Sequence, residues 1–312
     1  MKDALFGGVN AAALTAMKAD FSPDLDRYAA HCNWLLANGC NGLGILGTTG
    51  EANSFGFEER KQILEGIIAR GVPATKLMPG TGCASLADTV ELTKHAKAQG
   101  CRGVLVLPPF YYKAPSDDGL FAYFSELVQR VGGGIAIYLY HFPQQSAVPF
   151  SLDLIGRLLK AFPGQIKGVK DSSGDYANMK AMIDAFAKDG FEVYSGSDEF
   201  VQKILAEGGA GCITAAGNVN ARFGALVYKH RTGPEADAAQ AVLNATRKAA
   251  TASPLIPGLR EIIARATGDD AWRNIRPPHL PLSAEAGQKA WDNMEAAGAL
   301  PLPGLGMKAA AE

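Results

Sequence analysis

Long apolar runs are missing from this chain of 312 residues. No stretch approaches the roughly 18 consecutive apolar residues of a membrane-spanning helix, so a membrane protein is not expected. Net charge is missing too. The chain has 30 Lys and Arg against 31 Asp and Glu, a formal charge of −1, and no long basic run. Neither a nucleic acid nor a membrane surface is therefore expected as a partner. Cysteine is scarce: Cys32, Cys40, Cys83, Cys101 and Cys212 are scattered, odd in number and without C-x-x-C spacing. That excludes a cysteine-based metal knuckle and fits reduced, mostly buried thiols of a cytoplasmic protein. The first 20 residues lack a basic region followed by an apolar core, so no signal peptide is expected. Histidine is sparse as well. His31, His95, His141, His230 and His279 are dispersed, and none joins a carboxylate at ligand spacing, so neither a metal nor a cofactor is expected. No G-x-S-x-G turn and no Ser-His-Asp arrangement stands out.

What the chain does have is alternation. Short apolar runs recur at residues 7–16, 42–47, 76–82, 103–109, 136–143, 166–172, 192–198 and 211–218. Several are near-continuous, as strands covered on both faces should be. The stretches between them have helical spacing. In residues 24–39, Leu25, Tyr28, Ala29, Cys32, Leu35 and Leu36 fall on one stripe, and Gly39 stops the helix. Residues 85–100 and 151–164 each begin with a serine cap and end in glycine. Strict β/α alternation implies a parallel sheet. Eight uniform units favour closure into an α/β (β/α)8 barrel, the TIM barrel, over an open doubly wound sheet. The barrel is expected over residues 1–232. The helix-only pattern that follows predicts a C-terminal helical extension over 233–312. Gly42, Gly44 and Gly47 form a literal G-x-G-x-x-G. They lie inside an apolar run and do not open a helix, so they read as small residues relieving crowding in a barrel strand rather than as a dinucleotide fingerprint.

In such a barrel, chemistry belongs at the C-terminal ends of the strands. The runs deliver Thr48, Thr49 and Glu51 there, then Tyr111 and Tyr112, Tyr140 and His141, Lys170 and Ser172, Asp198 and Glu199, and finally Thr214 and Asn218. One lysine among tyrosines and hydroxyls is the inventory of amine catalysis. A desolvated lysine loses its preference for the charged form. Its neutral amine attacks a ketone to form a Schiff base. A phenol moves protons, and small hydroxyls and backbone N–H groups hold a carboxylate. On position alone, a nucleophile and a salt-bridged structural lysine are equally open for Lys170. Lys167 should face the opposite way, toward the outer face or lower rim, because strand side chains alternate. Tyr140 alone reads as a packed aromatic, Glu51 as a turn residue bound to local backbone, and Asp198 and Glu199 as acidic residues suited to a helix N-terminus.

Taken together, "GILGTTGE" (44–51), "YLYHFP" (138–143) and "GVKDSSGD" (168–175), with "RPPHLPLS" (276–283), resemble the class I pyruvate-dependent aldolases of the dihydrodipicolinate synthase / N-acetylneuraminate lyase family. The resemblance spans about residues 8 to 282. It implies a Schiff base between Lys170 and pyruvate, proton shuttling by Tyr140, a proton relay at Thr48, and carboxylate binding by Thr48 and Thr49. Ser172 is taken with them as substrate-binding. It also implies a tyrosine reaching in from a neighbouring subunit, either Tyr112 or the adjacent Tyr111, in a homo-oligomer, commonly a tetramer. The departures concern the second substrate. His141 stands where the family has asparagine. Gln145 stands where the synthases carry an arginine that clamps a second carboxylate, and a neutral amide does not replace a bidentate guanidinium. Asp198 and Glu199 resemble a sugar-binding stretch of the lyases, whose serine after strand eight is Ala215 here. The expectation is a lyase that condenses pyruvate or another 2-oxo acid with an aldehyde, or cleaves or dehydrates a 2-keto-3-deoxy acid. A hydroxylated partner is expected to serve better than aspartate semialdehyde. The alternatives are a 4-hydroxy-tetrahydrodipicolinate synthase and a non-catalytic barrel that binds 2-oxo acids.

Overall fold

The computed structural model describes residues 4–305. Each expected apolar run contains a strand: β1 (Gly8–Ala12), β2 (Gly42–Ile45), β3 (Leu77–Pro79), β4 (Gly103–Val106), β5 (Ala136–His141), β6 (Ile166–Asp171), β7 (Glu192–Ser195) and β8 (Gly211–Thr214). The eight pair in the order β3-β2-β1-β8-β7-β6-β5-β4. Every pairing is parallel. The ends of the sheet meet through a parallel bridge between Gly80 and Leu105, where Thr81 N–H donates to the Leu105 carbonyl at 3.0 Å. The result is a (β/α)8 barrel.

The helices are α1 (Leu25–Ala37), α2 (Phe57–Ile68), α3 (Leu86–Ala98), α4 (Asp117–Val131), the short α5 (Pro143–Ser146), α6 (Leu152–Ala161), α7 (Tyr176–Phe186), α8 (Val201–Ala206) and α9 (Gly217–His230). After the barrel come α10 (Pro234–Thr251), α11 (Leu255–Thr267) and α12 (Ala284–Ala296). The serine caps form as expected. Ser85 and Ser151 hydroxyls accept from the N–H groups of Asp88 and Leu154. None of these helices is long and apolar enough to cross a membrane.

Strand alternation divides the core into two layers. Val104, Ile137, Leu139, Val169 and Val193 point outward and pack under the helices with Leu35, Ile63, Phe124, Leu154 and Met179. Phe6, Met78, Leu105, Tyr138, Tyr140, Tyr194 and Ile213 fill the barrel interior. Gly42 and Gly44 face that interior. A Cβ on Gly42 would lie 2.7 Å from Asn10 Oδ1, and one on Gly44 would lie 3.2 Å from Ile213 Cγ2. The glycine pattern of β2 thus serves packing, as the sequence suggests.

Candidate active site

β5 and β6 set the centre of the site. Their register places Tyr140 beside Lys170, both side chains pointing inward at the C-terminal ends of the strands. Lys170 is 6% exposed and Tyr140 5%. The Lys170 ammonium lies 4.2 Å from the centroid of the Tyr140 ring. The Tyr140 hydroxyl lies 3.4 Å from Thr48 Oγ1, long for a hydroxyl pair and of the kind that tightens when substrate arrives. Burial raises the phenol's pKa, but the positive charge of Lys170 and the polar groups of Thr48 and Ser172 outweigh it. The net result lies below the ordinary tyrosine value of 10. A phenol so placed releases and recovers a proton more readily than a buried tyrosine normally does.

Thr48 and Thr49 come from the turn after β2. Leu46 (φ 50°) and Glu51 (φ 57°), both left-handed and neither glycine, bracket that turn. What holds it is a buried ion pair reaching in from α11. Arg260 Nε donates to Glu51 Oε1 at 3.0 Å, and its Nη2 donates to the Thr15 carbonyl at 2.6 Å. The Thr15 hydroxyl in turn donates to the Gly50 carbonyl at 2.8 Å. Glu51 is therefore a long-range anchor rather than a residue satisfied by its own turn. Breaking such a buried pair costs about 3–5 kcal/mol.

A cavity of about 450 Å³ opens above Lys170. Of the residues expected to bind or act on substrate, Lys170, Tyr140, Thr48, Thr49, Ser172, Gln145 and Glu199 line it. Gln145 sits on α5, and Glu199 accepts at the rim from the Ser197 hydroxyl at 3.1 Å. Two expected residues do not line the cavity. Asp198 is 1% exposed, and neither carboxylate oxygen has a hydrogen-bond partner among the described residues. Burial pushes its pKa up to about 6 against the ordinary 3.8. Its backbone faces α10, where Gln240 Nε2 donates to the Asp198 carbonyl at 2.9 Å. The side chain does not line the cavity, so of the expected acidic pair only Glu199 does. Tyr112 is 77% exposed and Tyr111 72%, stacked edge-on with ring centroids 5.3 Å apart, outside the cavity.

His141 also differs in role from a site residue. Its Nδ1 accepts from the Phe150 N–H at 3.1 Å, tying β5 to the segment before α6. Burial lowers its pKa against the opposing pull of Asp171 and Asp175. Lys167 sits at the lower rim, 3.6 Å from Glu192 and donating to the Gly190 carbonyl at 3.2 Å. No three His, Cys, Asp or Glu side chains among the described residues gather as metal ligands.

The C-terminal segment completes the wall with residues that the motifs did not reveal: Arg247 on α10, Pro254 and Pro257 around the start of α11, and His279 in the loop before α12. Arg247 carried a signal. On α10 it lies four residues after buried Leu243 and seven after buried Gln240, on the helix face that packs inward. The "RPPHLPLS" loop brought His279 into the expected region without naming it.

Comparison with known proteins agrees with the barrel fold. The model of the dihydrodipicolinate synthetase family matches residues 5–297. An uncharacterised DapA-like lyase of Chloroflexus aurantiacus is 36% identical over 281 residues, 89% of this chain and 92% of that protein. The crystal structure of dihydrodipicolinate synthase from Agrobacterium tumefaciens C58 superposes with a TM-score of 0.83 at 30% identity, covering 93% of this chain and 99% of that one. A prophage protein of the dihydrodipicolinic acid synthase family from E. coli K12, solved in complex with pyruvate, gives a TM-score of 0.87 at 26% identity over 95% of this chain and 100% of that one.

Proposed function

The chain belongs to the dihydrodipicolinate synthetase family and is a lyase of the class I aldolase type, and from that premise we propose that it joins pyruvate to an aldehyde, or runs the reverse cleavage, through an imine on Lys170. One observation carries the proposal: a buried lysine and a buried tyrosine of lowered pKa meet at paired strand ends beneath a cavity. The E. coli relative's pyruvate complex supports the choice of 2-oxo acid.

In this reading the Lys170 amine attacks C2 of pyruvate, and the carbonyl oxygen departs as water after protonation. Tyr140 carries that proton, with Thr48 as its neighbour in the relay. Thr48 and Thr49 seat the pyruvate carboxylate. Loss of a C3 proton gives an enamine, whose C3 attacks the aldehyde carbon. The new alkoxide takes a proton, and water releases the product from Lys170. A 2-keto-3-deoxy acid entering from the other side is cleaved by the same steps reversed, or loses its 4-hydroxyl as water from the enamine.

The Agrobacterium synthase favours a second reading, a 4-hydroxy-tetrahydrodipicolinate synthase that takes aspartate semialdehyde. Gln145 in the cavity weighs against it, because a neutral amide gives a second carboxylate no charge there. The exposed Tyr111–Tyr112 loop is read as the contact with another copy, in a homotetramer. The proposal is tested by turnover. Lys170→Ala should lose at least about a thousandfold in kcat for pyruvate–aldehyde condensation, because the covalent route disappears. A loss under about tenfold would refute the imine.

A further inference from the structure

The turn that carries Thr48 and Thr49 is held from outside itself. The Thr48 hydroxyl stands beside that of Tyr140, and Thr49 makes no side-chain hydrogen bond among the described residues. The left-handed φ angles of Leu46 and Glu51 persist only where the surroundings fix them. Those surroundings come from the C-terminal segment. Arg260 on α11 is 1% exposed and Glu51 4%. Arg260 engages Glu51 through Nε and Nη2, the Thr15 carbonyl through Nη2 and the Trp272 carbonyl through Nη1. Thr15 passes the hold on, its hydroxyl donating to the Gly50 carbonyl at 2.8 Å. The second Glu51 oxygen accepts from the Arg276 N–H at 3.4 Å. Tyr28 and His31 of α1 feel the charge of Arg260, but neither hydrogen-bonds to it among the described residues. Glu51 is its one ion-pair partner among them. The same helix lines the cavity with Ile256 and Pro257, four and three residues before Arg260 and so on one face with it. One helix therefore touches the cavity wall and, through Glu51, the turn beside Tyr140.

We propose that Arg260 is a positioning residue for the reaction: through Glu51 and Thr15 it holds the Thr48–Thr49 turn in register with Tyr140 and Lys170. It touches no substrate. This rests on the imine reading, in which Thr48 and Thr49 seat the pyruvate carboxylate. Two effects follow. A donor displaced by about 1 Å no longer meets a carboxylate at bonding distance, so pyruvate binds less tightly. Thr48 also no longer stands beside the Tyr140 hydroxyl, whose phenolate keeps only Lys170 and Ser172 as stabilising neighbours. The alkaline limb of the rate then moves up toward the ordinary tyrosine range. A residue that merely held the fold together would affect stability and move neither quantity.

Removing Arg260 alone strands the Glu51 carboxylate and destabilises the protein for that reason, so the deciding variant removes both charges. Glu51→Leu combined with Arg260→Met leaves no buried charge there, and its unfolding midpoint should lie within about 5 °C of wild type. Its KM for pyruvate should nevertheless rise about ten- to a hundredfold, with the alkaline inflection shifted upward. Arg260→Lys keeps the charge but loses the fork that also reaches Thr15, and should raise KM by about three- to tenfold. A wild-type KM and an unmoved inflection in the folded double variant overturn the proposal. Loss of borohydride trapping at saturating pyruvate would place the effect on Lys170 instead of the turn, and overturns it too. If the double variant does not fold, Arg260→Lys decides: a raised KM supports the proposal and a wild-type KM overturns it. If wild type forms no imine, the lyase reading has failed by itself, and calorimetry with pyruvate reads the carboxylate seat. Weaker binding in the double variant supports the proposal, and absent or equal binding overturns it.

Discussion

The two ends of the barrel use the same residue types for opposite purposes. At the lower end, Glu192 is fully enclosed and fully satisfied. It accepts from the Tyr138 and Tyr194 hydroxyls at 2.8 and 2.7 Å and from the Leu5 N–H at 2.9 Å. Lys167 stands against it. At the upper end, Lys170 and Tyr140 meet without a carboxylate, Asp198 is enclosed without a hydrogen-bond partner among the described residues, and Arg247 lines the cavity. Tyr138 and Tyr140 lie two residues apart on β5 and both point inward. Burial and then the charge of Glu192 push the Tyr138 phenol far above its usual pKa, whereas Lys170 and Thr48 bring Tyr140 below it. Residue type and burial are therefore nearly constant along the barrel axis. The sign of the neighbouring charge, and whether the polar groups already have partners, separates the satisfied lower end from the candidate site at the upper end.

That contrast breaks most visibly if the two tyrosines exchange roles. Tyr140→Phe should lower kcat by about 100- to 10,000-fold, the range of a positioned proton carrier. It should also remove an alkaline inflection lying below the ordinary tyrosine range. Tyr138→Phe should leave turnover within about twofold and instead destabilise the fold by about 1–3 kcal/mol, since Glu192 loses a donor. Rate profiles and urea unfolding of the pair measure both. Equal rate losses in the two variants would erase the distinction between the ends.

A smaller effect sharpens the contrast between Glu192 and Asp198. Asp198 titrates at about 6 in the folded protein against an ordinary value of 3.8. The folded state thus holds this proton more tightly than the unfolded chain. That advantage is whole below about 3.8 and is lost as pH rises through about 6, an effect on the order of 3 kcal/mol. Asp198→Asn, neutral and of the same size, should gain stability relative to wild type across that window and hold the gain above it. Urea midpoints at the two ends of the window test it. A constant difference between the proteins would mean that Asp198 is as well partnered as Glu192.

The legible and illegible parts of the molecule divide along physical lines. The strands, their facing and the serine caps at Ser85 and Ser151 were readable because period-2 alternation and capping are local. That Lys170, Tyr140, Thr48 and Thr49 would line one cavity was readable because each sits at the end of a recognisable strand within a specific motif. Asp198 misled for a related reason. Adjacent residues in a turn after a strand need not share a direction, and Glu199 lines the cavity while Asp198 is buried away from it. Arg260 and Arg247 come from helices whose packing against the barrel no local pattern fixes. Only the helical position of Arg247, four residues after Leu243, hinted that a charge was being carried inward.

The account turns on Lys170 being the nucleophile and Lys167 a structural cation. Incubation with pyruvate and borohydride, followed by peptide mass spectrometry, distinguishes them directly. The account predicts a reduced pyruvate adduct on Lys170 and none on Lys167, with trapping abolished in Lys170→Ala. An adduct on Lys167, or none on either lysine, would contradict it.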